Sequence, residues 1–399
     1  MSIFAPLPLA PSDPILGVTD AWRADPRPEK VNLGVGVYYD EQGRSTLLEA
    51  VRRAEEILVA QHRARGYIPI DGLPEYTRLT RELLFGADSS LLAAGRVVTA
   101  QTLGGTGALR VGADFLRLVL PRPRVAISRP SWPNHRVLFG ASGYAIEDYP
   151  YYDPTTHGVN FDAMLGAIRA LEPATVVVLH ACCHNPTGAD LDAGQWQQLA
   201  QALRERELIP FVDLAYQGFD RGISEDAQGI RILLQAGIGT VLIANSYSKS
   251  FSLYGERVGA LSVVCADADE AARVRSQVKQ TIRATYSNPP THGAALVAAV
   301  LGDAQLRALW EQELGGMRGR IRAMREGLVQ CLVALGRPDL DFITRQAGMF
   351  SYTGLSRDQV ARLREEFAIY AVDSGRICVA GLNESNLDHV AAAIARVAA

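Results

Sequence analysis

From about Arg96 onward, apolar runs of strand length alternate with stretches of helical period. Arg96–Gln101, Arg124–Ser128, Thr175–Ala181, Leu208–Leu214, Thr240–Ser246 and Ala260–Cys265 read as strands. They are continuously apolar rather than alternating, the pattern of strands buried on both faces. Between them, Gly107–Leu120, Gly194–Glu207 and Ala266–Thr285 read as helices. Strand and helix in alternation predict an α/β fold, a doubly wound and mainly parallel sheet. The C-terminal part follows another rhythm. Ala304–Leu335 has long helical periodicity, followed by the short strand-like pieces Gly348–Tyr352 and Arg376–Ala380 with helices at Ser356–Glu366 and Glu384–Val397. That part reads as a smaller α+β domain, joined by the isolated segment Lys30–Tyr39. The expected division is an arm over 1–12, a first small-domain segment over 13–45, a large domain over 46–315 and a second small-domain segment over 316–399.

In open α/β sheets, ligands bind beyond the carboxyl ends of the strands. Those ends carry a coherent set of residues. Leu103-Gly104-Gly105-Thr106-Gly107 follows the first strand and opens a helix. Arg129-Pro130-Ser131-Trp132 follows the second, and His184-Asn185-Pro186-Thr187-Gly188 the third. Asp213-Leu214-Ala215-Tyr216 ends the fourth, and Ser246-Tyr247-Ser248-Lys249 the fifth, with Arg257 shortly after. Pyridoxal phosphate needs this inventory. Its aldehyde takes a lysine amine, and its pyridine nitrogen needs a buried carboxylate to stay protonated. Its phosphate suits helix amides, hydroxyls and an arginine. Tyr216 and Asn185 supply donors for its ring oxygen, and Trp132 a plate for its ring.

Composition narrows the candidates. Among 399 residues there are only three lysines, Lys30, Lys249 and Lys279. Lys30 lies in a polar stretch and Lys279 on a charged helix, so both read as exposed; Lys249 alone follows an apolar strand. The formal charge of −3 provides no basic field for nucleic acid or an anionic membrane. No apolar stretch is long enough to span a bilayer; Gly293–Gly302 comes nearest. The N-terminal stretch lacks a basic n-region and is broken by Pro6, Pro8, Pro11 and Pro14, which favours a cytoplasmic enzyme over a secreted one. The five cysteines, Cys182 and Cys183 adjacent among them, read as small, buried, reduced core residues, and no metal-ligand spacing occurs.

Five motifs together give the chain a family likeness. They are Asn32-Leu-Gly-Val-Gly36, His184-Asn185-Pro-Thr-Gly188, Ser246-Tyr-Ser248-Lys249, Tyr254-Gly-Glu-Arg257 and Ser287-Asn-Pro-Pro290. With them the chain resembles the class I aminotransferases of the aspartate and aromatic amino acid type, which use pyridoxal 5'-phosphate on fold type I. The likeness runs from Asp13-Pro-Ile-Leu16 to Ser374-Gly-Arg376. It implies that Lys249 carries the cofactor as a Schiff base and shuttles the proton. It implies that Asp213 pairs with the pyridinium, supported by His135, and that Tyr216 and Asn185 hold the ring oxygen. Gly105, Thr106, Ser246, Ser248 and Arg257 would hold the phosphate, joined by Tyr67 from a neighbouring subunit. Arg376 would clamp the substrate α-carboxylate with Gly36 and Asn185, Arg283 would read a distal carboxylate across a homodimer interface, and Trp132 and Phe350 would line the substrate.

Each residue also has a plain reading. A lone lysine is usually a solvated charge, Asp213 could be a strand-end turn residue, Trp132 could be core, Tyr67 alone says almost nothing, and Arg283 and Arg376 could be ordinary ion-pair residues. His180 and His184 read as structural. Joint placement at strand ends favours the chemical reading. The glycine loop could be half of a dinucleotide fingerprint, but the following strand ends in Ser128-Arg129-Pro130, without the required carboxylate. A ligand sensor on this scaffold would not need both Lys249 and Arg376. The expected activity is ping-pong transamination between amino acids and 2-oxo acids, with 2-oxoglutarate as acceptor. Gly348–Gly354, Phe251–Arg257 and Ile377–Asn383 resemble aromatic amino acid aminotransferases, so tyrosine and phenylalanine are expected beside aspartate and glutamate. Asn288 and Val37 point instead to an aspartate aminotransferase, the alternative.

Overall fold

The computed structural model describes residues 2–10, 13–62, 64 and 66–398. The arm expected over 1–12 includes Met1, Pro11 and Ser12, which lie outside the described residues. The chain divides into two compact units, Ser45–Ile321 with Gln346–Gly348, and Met1–Arg44 with Arg322–Arg345 and Met349–Ala399.

The larger unit is built on a seven-stranded sheet. Its strands are β1 (Val97–Leu103), β2 (Arg124–Arg129), β3 (Ala145–Pro150), β4 (Val176–His180), β5 (Ile209–Leu214), β6 (Val241–Ser246) and β7 (Val258–Val264). The spatial order is β1-β7-β6-β5-β4-β2-β3. β7 runs antiparallel to both of its neighbours, and every other pairing is parallel. β6 is buried at every position, as is β7, which explains why their sequences are mostly apolar and do not alternate. β3 does not appear among the strands the sequence pattern predicts. Its residues Ala-Ile-Glu-Asp-Tyr-Pro lie at the sheet edge, where only Tyr149 is buried, so no apolar run marks it.

Four helices matter below: α1 (Gly104–Leu116), α2 (Pro133–Ala141), α3 (Ala268–Tyr286) and α4 (Ala304–Ala334). Leu109, Val111 and Phe115 of α1, Phe139 of α2, and Val278 and Ile282 of α3 pack with Val98, Phe211 and Leu261 of the sheet into one core. Gly112 permits the close seat of α1, since a Cβ there would stand 2.4 Å from Phe211 Cζ. α3 is capped by Asp267, whose side chain accepts from Glu270 N at 2.7 Å, and it ends at Ser287, which has φ +72°.

In the smaller unit, Val31–Asn32 pairs in parallel with Ile369–Tyr370. Phe350–Tyr352 pairs antiparallel with Arg376–Cys378. The helices Arg357–Phe367 and Leu387–Val397 pack on each other.

Candidate active site

The strand ends of the larger unit bring together most of the residues singled out above. Asp213, the fifth residue of β5, is buried and is hydrogen-bonded to His135 Nε2 through Oδ2 at 3.0 Å. A carboxylate can only accept, so Nε2 donates, and His135 Nδ1 is left to pair with Ser131 Oγ at 2.9 Å. Burial pushes the Asp213 carboxyl up; the His135 bond, together with the charge of Lys249, outweighs it and holds the group below the usual carboxylate range. At neutral pH the chain therefore presents a buried, ionised carboxylate.

Lys249 lies three residues past the end of β6, and its Nζ stands 5.0 Å from the centroid of the buried Tyr216 ring. The other two lysines are only half exposed, a correction to the sequence reading. Lys30 donates to the carbonyls of Arg23 and Asp25 behind the helix Leu16–Ala24 and lies over Trp22, while Lys279 approaches Asp71 at 3.7 Å. Both are held by structural partners.

An anion cradle lies beside Lys249. α1 opens at Gly104 with no side-chain cap; Gly104 N donates to Arg257 O at 3.0 Å, and the following amides of the first turn face outward from the helix end. Ser246 Oγ accepts from Ser248 N at 3.2 Å, and Arg257 Nη1 donates to Ser248 Oγ at 3.2 Å. The close approach depends on glycine: a Cβ at Gly105 would meet Ser246 Cβ at 3.2 Å, and one at Gly259 would meet the Gly104 backbone at 2.5 Å. Amides, two hydroxyls and a guanidinium converge there, a set of donors that suits an anion.

Asn185 is buried in the loop after β4. Asp190, which the sequence reading passed over, closes that loop by accepting from Cys183 N at 2.6 Å and His184 N at 2.8 Å. Burial, with Asp220 and Asp226 nearby, raises its carboxyl to about 7 against the lowering effect of those two amides. His184 is structural, bonded to Ser128 and Thr187 and stacked under Tyr151 at 4.0 Å. His180 makes no hydrogen bond through either ring nitrogen among the described residues, and burial lowers it to about 3, so it is neutral. Ligating atoms of His135, His180 and Asp213 lie within 4.8 Å of one another, an approach that their sequence spacing did not announce. Trp132 is half-buried, with its ring edge-on to His135 at 5.2 Å. The cysteines are free; four are buried, but Cys331 is only half-buried because it lies on the outer part of α4 near Asp388.

Two further residues stand apart from this cluster. Tyr67 is 97% exposed. Arg283, near the end of α3, is exposed and donates to Ser287 Oγ. Their segments are tied together by Asn288 Nδ2, which donates to Ile68 O at 3.1 Å. Gln101 anchors the same region, donating to Pro290 O at 2.6 Å and accepting from Leu73 N at 3.2 Å. In the smaller unit, Arg376 is buried, donates to Gly34 O and lies over the Phe350 ring at 4.1 Å. Gly36 faces the same ring, and a Cβ there would stand 2.7 Å from Phe350 Cζ.

A lysine just after strand β6, an ionised carboxylate on the neighbouring β5 and an anion cradle at the head of α1 fit a pyridoxal-phosphate transferase of fold type I. The chain belongs to the aminotransferase class I and II family, whose model matches residues 28–394. It is 56% identical to an aspartate aminotransferase of Pseudomonas aeruginosa over 398 residues, covering 100% of both chains. It is 51% identical to the aromatic-amino-acid aminotransferase of Escherichia coli, covering 96% of this chain and 97% of that one. Among solved structures, an aromatic-amino-acid aminotransferase from Burkholderia pseudomallei, covalently bound to pyridoxal phosphate, superposes with a TM-score of 0.97 at 60% identity, covering 100% of both chains. No helix among the described residues is long and apolar enough to cross a membrane.

Proposed function

We propose that this aminotransferase exchanges the amino group between aromatic or dicarboxylic amino acids and 2-oxoglutarate, with pyridoxal phosphate on Lys249. One observation carries the proposal: the amine of Lys249 and the ionised carboxylate of Asp213 end adjacent strands beside the anion cradle. When bound, pyridoxal phosphate supplies an aldehyde to hold the substrate amine and a cationic ring to accept the electrons of the breaking Cα–H bond. The chain supplies the rest. Asp213 holds a proton at the ring nitrogen, and His135 orients its carboxylate. Tyr216 and Asn185 donate to the ring oxygen, while Trp132 covers the ring face. Gly105, Thr106, Ser246, Ser248 and Arg257 bind the phosphate. Lys249 Nζ, neutral at that moment, carries the proton that leaves the substrate Cα. Arg376 and Gly36 hold the α-carboxylate, and Phe350 lines the side chain.

We also read Tyr67 and Arg283 as serving the site of a second copy, in a cytoplasmic homodimer. Both side chains face solvent, and Leu9 near the N-terminus is 99% exposed. Arg283 would meet a distal carboxylate and move aside for a ring. A buried arginine left without an anion costs several kcal/mol, roughly 3–5, so a site that accepts both side chains needs it to be movable. The test is a panel of aspartate, glutamate, phenylalanine and tyrosine with 2-oxoglutarate, on wild type and Arg283→Leu. Wild type should turn over all four. The variant should lose roughly a hundredfold or more on the dicarboxylates, as for a lost charge-assisted pair, and keep phenylalanine. An enzyme that uses aspartate but neither aromatic substrate would instead be a plain aspartate aminotransferase.

A further inference from the structure

α4 carries a buried stripe at Ile321, Leu328 and Leu332, and Arg325 falls on that same stripe. A guanidinium in such a position is costly unless its donors are used. Arg325 is 5% exposed and ties down one strand with two bonds: Nη2 donates to Phe350 O at 2.9 Å, and Nε to Ser351 Oγ at 3.4 Å. That strand, Phe350–Tyr352, has three residues and one partner, Arg376–Cys378, on which Arg376 sits opposite Tyr352. The Phe350 ring has its Cζ against Gly36 and carries the Arg376 guanidinium 4.1 Å from its centroid. A movement of the Phe350 backbone therefore moves the plate against which Arg376 is oriented.

We propose that Arg325 is a positioning residue for the carboxylate clamp, fixing the strand that holds Phe350 against Arg376. This rests on the reading of Arg376 as the α-carboxylate ligand. Amino acid and 2-oxo acid both present that carboxylate, so the loss of Arg325 weakens both substrates alike. It acts on binding more than on the proton transfer at Lys249, since Arg325 touches no reacting group.

The test titrates 3-phenylpropionate, a carboxylate with no amine to react, into holoenzyme by calorimetry, beside KM and kcat for aspartate and 2-oxoglutarate. Methionine at 325 suits the apolar stripe and removes the donors. Arg325→Met should weaken 3-phenylpropionate about tenfold, as for lost bonds from a charged donor. KM should rise by a similar factor for both substrates, with a smaller fall in kcat. Arg325→Lys should restore most of the affinity, because the ammonium still donates. Ser351→Ala, which removes one acceptor, should show a weaker effect of the same sign and serves if Arg325→Met does not fold. Unchanged affinity and KM in Arg325→Met, while Arg376→Met loses 3-phenylpropionate, overturns the proposal and leaves the clamp reading intact. Wild-type affinity in Arg376→Met overturns the clamp reading itself.

Discussion

The residues assigned to the cofactor and those assigned to the substrate carboxylate sit on differently built supports. Asp213 is the fifth and Ser246 the last residue of six-residue strands at the centre of a seven-stranded sheet, with Lys249 three residues beyond Ser246. Arg376 and Phe350 sit on three-residue strands of a two-stranded ribbon, and Arg376 bonds to Gly34, 342 residues away in sequence. In the first region the sheet fixes each group through its neighbours on both sides. In the second, side chains such as Arg325, bonded to Phe350 O and Ser351 Oγ, tie down the short ribbon.

The largest effect expected from disturbing the sheet-borne region is at Asp213. Asp213→Ala should still bind cofactor through the α1 cradle but lose transamination by roughly two to four orders of magnitude, the scale of positioned proton chemistry. Cofactor retention measured by absorbance, beside the turnover rate, checks both halves. A variant that keeps full activity would show that the central sheet does not deliver the carboxylate for that purpose.

A smaller effect is expected from the loop that carries Asn185. The Asp190 carboxyl is raised to about 7, chiefly by burial and with Asp220 and Asp226 adding to it, against the opposing bonds from His184 and Cys183. Between the ordinary carboxylate range and about 7, the folded protein therefore holds a proton that the unfolded chain has released. Its contribution to stability consequently falls as pH rises through that window and levels off above it. Melting temperatures of wild type and Asp190→Asn between pH 5 and 8, with the difference plotted against pH, isolate this group from the other carboxylates. The difference should change by a few degrees across the window and flatten above about 7. A difference independent of pH would show that Asp190 does not titrate there.

The same contrast explains what was legible in the sequence. Six strands of the central sheet announce themselves as apolar runs, because burial on both faces leaves few polar positions in them, Thr99, Asn245 and Ser262 among those that remain. Their ends then place Asp213, Asn185, Ser246 and Lys249 together without further information. The edge strand Ala145–Pro150 escaped because solvent on its outer side admits Glu147 and Asp148. Asp190 and Arg325 escaped because their work is to accept from, or donate to, the backbone of another residue, and a sequence does not show which loop or strand a polar side chain reaches. Arg325 left one trace, a charge on the apolar stripe of a long helix. The cluster of Tyr67, Asn288 and Arg283 joins segments more than 200 residues apart, through the Asn288–Ile68 bond, which local patterning does not encode.

The most direct test of the account is where the cofactor attaches. Borohydride reduction of the holoenzyme, followed by digestion and peptide mass mapping, should place the phosphopyridoxyl label on Lys249 alone, and Lys249→Ala should take up no label. A label on Lys30, behind the helix Leu16–Ala24, or on Lys279, beside Asp71, would contradict it, because neither follows β6 next to the carboxylate of β5.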